Sequence, residues 1–489
     1  MSHSDSATIT PWPSHRNSRG VWSAAVVVAG GAILAACASL PPAQPARQAK
    51  APQAYETARS FAAPQADWPS DAWWKAYGDP QLDGLIGEAL AGSPTLAQTQ
   101  ARVLKAQAQA GAAQAATLPS VSLNAGVEEQ KQSYNLGIPP QFVPQGYNDY
   151  GRVTLDFNWE LDFWGKNRAA VAAATSQARA AAAEAAQTRL VLSTAVASAY
   201  ADLARLYAER QVAADSVRVR EETAGLVERR VLGGLDTQAE LRQAQAGPPA
   251  ARAQLAAIDE QIARTRNQIA ALLGAGPDRG LAITPPGAQT VKAFGLPSNL
   301  AADLIGRRPD VIAARWRAES ASQRIKQAKA AFYPNINLAA FIGAQALHLD
   351  TLFRSGSDVG SVGPALSLPI FDGGRLRANL RGSEADRDEA VASYDAAVTE
   401  ALHEVADAAA SERALAVQLT QSRAALTAYE DAYRVARLRY EGGLANYQSV
   451  LLAEAAVLDQ RRAVADLESR GFSLDVALVR ALGGGFTTV

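Results

Sequence analysis

Two long stretches without proline, residues 168–232 and 375–441, set the dimensions of the fold that this sequence can adopt. At 1.5 Å per residue, a helix of about 65 residues is roughly 100 Å long, which is longer than a compact globular domain requires. Apolar side chains recur at three- and four-residue steps in the second stretch, for example at Val391, Tyr394 and Val398. This spacing predicts coiled-coil packing along the helix.

Each long stretch ends at a pair of glycines. Residues 233–235 and residues 442–444 both read Gly-Gly-Leu. Because glycine readily adopts the positive φ that ends a helix, both segments are predicted to be tips of tight helix–helix hairpins. Return helices are expected over residues 236–273 and 445–482.

The same order of elements occurs before both long stretches. A helix from about residue 85 to residue 116 precedes a strand pair at 119–163, and a helix at 309–331 precedes a strand pair at 334–371. Apolar residues with a period of two identify the strands. We therefore predict two structural repeats, 71–297, which closes with a linker, and 298–489.

One strand of the first pair has a fully apolar face and a fully polar face. Val153, Leu155, Phe157 and Trp159 alternate with polar residues, which is the pattern of a wall between lipid and water, and these four side chains are predicted to face lipid. The mature chain has no further apolar run of about 18 residues, so any membrane crossing must use strands. Four strands cannot close a barrel of about eight or more, so the chain must oligomerise, and two, three or four copies remain open.

The N-terminal segment has the features of a secretion signal. Arg16 and Arg19 precede an apolar run at 21–34, and the sequence then reads Leu-Ala-Ala-Cys. This resembles the lipobox of bacterial lipoproteins, which implies a signal peptide at 1–36 and a lipid anchor at Cys37. A plain signal peptide is the alternative. The Pro-, Ala- and Gln-rich residues 37–70 are expected to form a tether behind the lipid.

Composition argues against nucleic-acid binding and catalysis. The 47 Lys and Arg residues nearly balance 48 Asp and Glu residues, so no overall basic field exists to hold phosphates. Of the histidines, only His348 and His403 follow the predicted signal peptide, and neither has a metal-ligand spacing or a nucleophile motif around it. The chain is predicted to be no enzyme and to hold no cofactor or metal.

Several short motifs occur in a characteristic order. They are Trp73-Trp74, Asp79-Pro80-Gln81-Leu82-Asp83, Trp159-Glu160-Leu161-Asp162-Phe163-Trp164-Gly165, Leu272-Leu273-Gly274, Arg307-Arg308-Pro309-Asp310-Val311 and Phe371-Asp372-Gly373-Gly374-Arg375. In this order the sequence resembles the TolC-type outer membrane factors, in particular the NodT family of efflux outer-membrane lipoproteins.

The resemblance implies a mainly α fold with a β-barrel part. A homotrimer would form a 12-stranded barrel in the lipid of the outer membrane of a Gram-negative bacterium and a long helical coiled-coil barrel in the periplasm. The implied partners are a periplasmic adaptor (membrane fusion) protein and an inner-membrane pump of the resistance-nodulation-division type.

The resemblance also assigns roles to the hairpins. The tips are expected to contact the adaptor, although the glycines could serve only the turn; the tip residues are Gly233, Gly234, Leu235, Gly442, Gly443 and Leu444. In the family, acidic rings often form a periplasmic gate after the second tip, and these positions fall at Ser449 and Leu452, which are not acidic. An apolar plug from Leu452, with Tyr440, is therefore expected; ordinary coiled-coil packing is the alternative.

The expected function is passive conduction of drugs or other small toxic compounds from a pump and adaptor to the exterior. Two alternatives remain open, the outer-membrane duct of a type I protein secretion system and a structural periplasmic coiled-coil lipoprotein. The sequence does not identify the cargo.

Overall fold

The computed structural model describes residues 41–42, 45–135, 137–287 and 293–487. The predicted signal peptide and Cys37 lie outside these residues. The described chain divides into two compact units. The sheet unit combines residues 115–170 with 324–384, and the helical unit combines residues 47–114, 171–323 and those from 385 onward. These units do not follow the two predicted repeats, which remain a prediction.

The first predicted helix is two helices, α1 (Pro80–Gly92) and α2 (Pro94–Ala115). Ser93 between them is extended, with φ −68° and ψ 121°, because the helical conformation is sterically disfavoured for a residue that precedes proline. The second half has the same break, since Arg308 is extended between α6 (Leu300–Arg307) and α7 (Pro309–Ala330). A short helix, α5 (Asp278–Leu281), precedes α6 in the chain.

The long helices have equal lengths in the two halves. They are α3 (Lys166–Leu232) and α8 (Arg375–Glu441), each of 67 residues. The return helices α4 (Gln238–Leu272) and α9 (Tyr447–Ala481) have 35 residues each. The order of elements in the first half thus recurs in the second. None of the helices in the described ranges is both long and apolar enough to span a membrane.

Four antiparallel strands form the sheet of the sheet unit. They are β1 (Ser120–Gln130), β2 (Asn148–Glu160), β3 (Asn335–Leu347) and β4 (Asp358–Ser367), in the spatial order β1-β2-β3-β4. The register pairs Leu123 with Leu155 and Phe157 with Ala340, so the two predicted strand pairs join in one continuous sheet.

The helical unit has a buried core between α1 and α3. Leu82, Leu85 and Tyr200 are fully buried. The Tyr200 hydroxyl donates a 2.7 Å hydrogen bond to Asp79, whose other carboxylate oxygen caps α1 by accepting from the backbone N–H of Gln81 and Leu82. This cap fixes the start of α1 against the long helix.

Arg308 from the Arg-Arg-Pro-Asp motif also has a structural position. Its side chain is buried, forms an ion pair of 2.6 Å with Asp310, forms a second with Glu404 and donates to the carbonyl of Ala481. A buried cation requires such partners, because its desolvation is otherwise costly. The motif therefore joins α7, α8 and α9 within the helical unit.

Candidate functional site

The two faces of the sheet differ in chemistry along its length. Val153, Leu155, Phe157 and Trp159, which the sequence predicts to face lipid, lie on the same face because successive side chains alternate. The register adds the following residues to this apolar face: Val121, Leu123, Ala125, Val127, Ile336, Leu338, Ala340, Ile342, Val362, Pro364 and Leu366. Many of them are exposed in the single chain, including Leu123 at 70% and Ile342 at 68%.

The opposite face carries a connected polar network. Asn124 and Thr154 each donate a hydrogen bond of 2.8 Å to Oδ2 of Asp156. Next to them, the guanidinium of Arg152 lies over the ring of Phe341 at 5.2 Å. Polar, hydrogen-bonded groups therefore occupy this face of β1 and β2, in contrast to the apolar side of the same strands.

The outer edges of the sheet lack strand partners within the described chain. β1 pairs with β2 and β4 pairs with β3, so each edge strand is bonded on one side. The edge strands are similar in length, with 11 residues in β1 and 10 in β4. An unpaired strand edge is a template for pairing with another chain.

The two hairpin tips have the same backbone geometry. Gly234 and Gly443 have φ of +71° and +74°, the left-handed conformation that favours glycine. The N–H groups of Leu235 and Leu444 donate to the carbonyls of Arg230 and Arg439 at 2.8 and 2.7 Å. These bonds satisfy the last carbonyls of α3 and α8 and leave the following leucines, at 67% and 74%, exposed.

Tyr440 joins the two hairpins. Its ring is fully buried, and its hydroxyl donates a hydrogen bond to Asp236, which follows the first tip. Arg230 forms a 3.0 Å ion pair with the same carboxylate and lies over the Tyr440 ring at 4.3 Å. Burial and the adjacent Asp236 carboxylate raise the pKa of the Tyr440 hydroxyl, so it remains a donor.

The other two predicted gate residues lie on the surface of the second hairpin. Ser449 lies in the first turn of α9, and its backbone N–H donates a 3.2 Å hydrogen bond to the side chain of the capping residue Asn446. Leu452 is 63% exposed. Tyr440 is therefore separated from these two, since it is inside the hairpin packing while they are accessible in the single chain.

A groove of about 670 Å³ connects the second tip to the Ser449 position. It is lined by Asp431, Ala432, Val435, Ala436, Arg439, Leu444, Ala445, Asn446 and Ser449. Leu444 from the predicted adaptor contact and Ser449 from the predicted gate thus share one surface. Three of the lining residues, Ala432, Ala436 and Ala445, have small side chains.

Sequence reasoning missed a buried acid near the tips. Glu454 on α9 is 3% exposed, accepts a 3.2 Å hydrogen bond from Thr223 and lies 3.5 Å from Arg220, both on α3. Burial raises the pKa of the Glu454 carboxyl above its usual value. The available signal was an acidic residue at a position of α9 where the regular spacing of apolar residues calls for an apolar side chain. Asp236 was missed too, although it directly follows a tip.

No group of three or more His, Cys, Asp or Glu side chains within the described ranges is arranged to hold a metal ion. The arrangement instead offers an amphipathic sheet, two hairpin tips and an accessible groove. These features suit contacts with membrane and protein.

A family model described as outer membrane efflux protein matches residues 85–275 and 300–484. The chain is 32% identical to the multidrug resistance outer membrane protein MdtP of Shigella flexneri over 461 residues, covering 93% of this chain and 94% of that protein. It is 38% identical to the fusaric acid resistance protein FusA of Burkholderia cepacia over 368 residues, covering 74% of this chain and 69% of that protein.

A solved structure has the same fold over most of the chain. The outer membrane protein VceC of Vibrio cholerae superimposes with a TM-score of 0.82 and 46% sequence identity, covering 86% of this chain and 100% of that chain. The superposition covers most of this chain, so the similarity extends well beyond one motif.

Proposed function

The chain belongs to the outer membrane efflux protein family, and from this membership we propose that it forms the exit duct of a tripartite efflux system. Members of this family are outer-membrane channel proteins rather than enzymes. The four-stranded sheet, with one apolar face, one polar face and two unpaired outer edges, gives the main support for this function. Such a sheet suits the boundary between lipid and a water-filled channel.

The duct is a homotrimer. Backbone groups cannot remain unpaired among acyl chains, so β4 of one copy must pair with β1 of the next until the barrel closes. Three copies of the four strands give 12 strands, within the range of bacterial barrels. The equal lengths of the long helices and of the return helices in the two halves support an internal duplication, which lets one trimer build six similar hairpins.

The hairpin tips bind a periplasmic adaptor protein, which connects the duct to an inner-membrane pump of the resistance-nodulation-division type. The exposed Leu235 and Leu444 supply apolar contacts at the tips, and the groove beside Leu444 accepts a helix from the adaptor. The glycines Gly233, Gly234, Gly442 and Gly443 keep the tips narrow. The pump supplies the energy, so cargo moves through this chain passively.

The second hairpin carries the periplasmic gate. Leu452 projects from the hairpin surface and acts as an apolar plug, with Ser449 one turn earlier on α9. Tyr440 acts from inside the packing by holding the second hairpin to Asp236 of the first. The gate opens when these contacts separate.

A lipid on Cys37 anchors the chain to the membrane, and residues 37–70 form its tether. The cargo consists of drugs or other small toxic compounds, a proposal supported by the multidrug and fusaric acid resistance named for the two relatives.

The test is efflux in a bacterium that has the cognate adaptor and pump but lacks its outer-membrane channel. Expression of the chain is expected to lower the accumulation of a fluorescent pump substrate. The double variant Leu235→Glu and Leu444→Glu should reach the outer membrane but fail to restore efflux. Leu281→Glu, a matched control at a residue that is 72% exposed, should restore it.

A correctly localised chain that leaves accumulation unchanged would exclude this function. Export of a folded or unfolded protein by the same cells would favour the type I secretion alternative instead.

A further inference from the structure

The strand ends that connect to the helices all lie at the same end of the sheet. We call this line of strand ends the helix-joined edge; it differs from the unpaired outer edges of β1 and β4. The register pairs Ser120 with Asn158, Glu160 with Asn337, and Asn335 with Ser367. The end of α7 and the starts of α3 and α8 therefore adjoin the same sheet edge within the sheet unit. The loops at 131–147 and 348–357 lie at the opposite edge.

Aromatic side chains mark the helix-joined edge. The Trp164 ring stacks on Tyr333 with centroids 4.7 Å apart, and its indole N–H donates a 2.9 Å hydrogen bond to the carbonyl of Pro334. Trp164 remains 49% exposed and Phe371 is 92% exposed. Exposed aromatics with a satisfied polar group are typical of the zone where acyl chains meet head groups.

Six basic residues occur in the last turns of α7 and the first turns of α8, close in sequence to these aromatic residues. We call this group the basic collar, and it consists of Arg324, Lys326, Lys329, Arg375, Arg377 and Arg381. Lys166 and Arg168 at the same edge are different, because they pair with Glu160 at 2.8 Å and Asp162 at 3.4 Å. In the collar, Arg375 lies near Asp372, while the other five form no ion pair or side-chain hydrogen bond with any residue that the structure describes.

The collar is unfavourable for the chain on its own. Arg375 and Arg377 lie in the first turn of α8, which contains no acidic residue, although the positive end of a helix dipole disfavours cations by about 0.3–1 kcal/mol each. Arg377 and Arg381 are also four residues apart, a spacing at which like charges repel. The Asp372 carboxylate already supplies one anion at this helix start, where it accepts from the backbone N–H groups of Gly374 and Leu376 at 3.0 and 2.9 Å. An anion bound from outside the chain would relieve the remaining repulsion among the basic side chains.

The opposite sheet edge has the reverse charge. Residues 128–149 and 347–358 contain five acidic residues, Glu128, Glu129, Asp149, Asp350 and Asp358, and two basic residues, Lys131 and Arg354. The basic excess is therefore specific to the helix-joined edge.

We propose that the basic collar binds the phosphate groups of anionic phospholipids in the leaflet next to the helix-joined edge. The proposal rests on the proposed function, which places the sheet in the membrane. Apolar strand faces contact the acyl chains, Trp164 and Phe371 lie at the level of the glycerol groups, and the collar reaches the phosphates. Clusters of four to eight basic residues beside a membrane-spanning segment recognise anionic lipid in this way.

The test compares three forms of the full chain. The collar variant carries Lys326→Gln, Arg377→Gln and Arg381→Gln, and the control carries Arg102→Gln, Lys105→Gln and Arg229→Gln, which are exposed cations of the helical unit. Purified, delipidated protein in neutral detergent is titrated with phosphatidylglycerol or phosphatidylcholine, and bound lipid is counted by native mass spectrometry. Each form is also reconstituted into vesicles for membrane insertion and conductance.

Wild type and control are expected to prefer phosphatidylglycerol, and the collar variant should bind it at least about tenfold more weakly. Three results would contradict lipid binding by the collar. The collar variant could bind phosphatidylglycerol as tightly as wild type, or the control could lose as much binding as the collar variant. Alternatively, equimolar inorganic phosphate could displace the lipid completely. If one of these results is found while wild type inserts and conducts, the lipid-binding proposal is wrong but the proposed function stands. If wild type does not insert into vesicles at all, the proposed function fails and the collar with it.

Discussion

The hydroxyl of Tyr440 donates a hydrogen bond to the carboxylate of Asp236, and this contact between residues 204 positions apart in sequence joins the two hairpins. Arg230 completes the cluster, because its guanidinium pairs with the same carboxylate and covers the aromatic ring. A buried hydrogen bond to a charged group is worth more than one between neutral groups. The cluster therefore links the two tips through charge-assisted contacts.

Replacing Tyr440 with Phe keeps the ring over Arg230 and removes the link to Asp236. The loss is expected to weaken contact between the hairpins by about 1–3 kcal/mol. If the hairpins form the gate, the mean single-channel conductance in planar bilayers should rise. Tyr429→Phe is the control, since that ring is exposed on α8. If both variants have the same conductance as wild type, Tyr440 does not control the gate.

Two glycine substitutions should have opposite effects on stability. Gly443→Ala places a side chain at φ +74°, and we expect it to lower the free energy of unfolding by about 1–2 kcal/mol. Gly225→Ala lies inside α3 with only the Arg229 guanidinium 3.7 Å away, and should raise stability by about 0.5–1 kcal/mol. Thermal unfolding in detergent tests both, and a stabilised Gly443→Ala would contradict the turn geometry.

Glu454 predicts a specific dependence of stability on pH. Because burial raises its pKa above the usual 4.5, the folded chain holds this proton more tightly than the unfolded chain. The free energy of unfolding therefore falls as pH increases from 4.5 towards the raised pKa. Glu454→Gln removes this loss and should become progressively more stable than wild type across that window.

The matched control for this experiment is Glu260→Gln on the exposed face of α4. Melting temperatures of the three forms should be compared at several pH values from 4 to 8. A Glu454→Gln variant that loses stability relative to wild type as pH increases would show that the pair with Arg220 outweighs the cost of burial.

Neighbouring residues of β1 should respond oppositely to a charge. Leu123→Arg places a cation on the apolar face, and the expected cost is about 2–4 kcal/mol near the middle of a bilayer. Ser122→Arg places the same cation on the polar face and should be tolerated. The amount of each variant in isolated outer membranes measures the difference, and equal amounts would argue against lipid contact by the apolar face.

Local patterns in the sequence predicted the elements well where a single residue type determines the backbone. The Gly-Gly-Leu segments end helices at Leu232 and Glu441, as the sequence indicates. A helix start at Pro309 was predicted, but the preceding helix α6 was not, and the equivalent break at Pro94 was missed because the apolar period continues across it. The preference of a residue before proline for an extended backbone points to both breaks, although α4 continues through Pro248 and Pro249.

Contacts between distant segments could not be predicted from local pattern. Tyr440 was assigned to the gate, but its burial against Asp236 depends on how two hairpins pack. Thr223 and Glu454 are 231 residues apart, and nothing in either helix indicates the other. The basic residues of the collar become a group only through the strand register, which places α7 and α8 beside one sheet edge.

The number of chains in the folded channel tests the proposed trimer most directly. Multi-angle light scattering of the detergent-solubilised protein, with the detergent mass subtracted, should give three times the mass of one chain. A cysteine in β1 and another in β4 should then cross-link neighbouring copies into a covalent trimer. A folded, membrane-extracted monomer would contradict closure of the sheet by sister chains, and a dimer or tetramer would contradict the 12-stranded barrel.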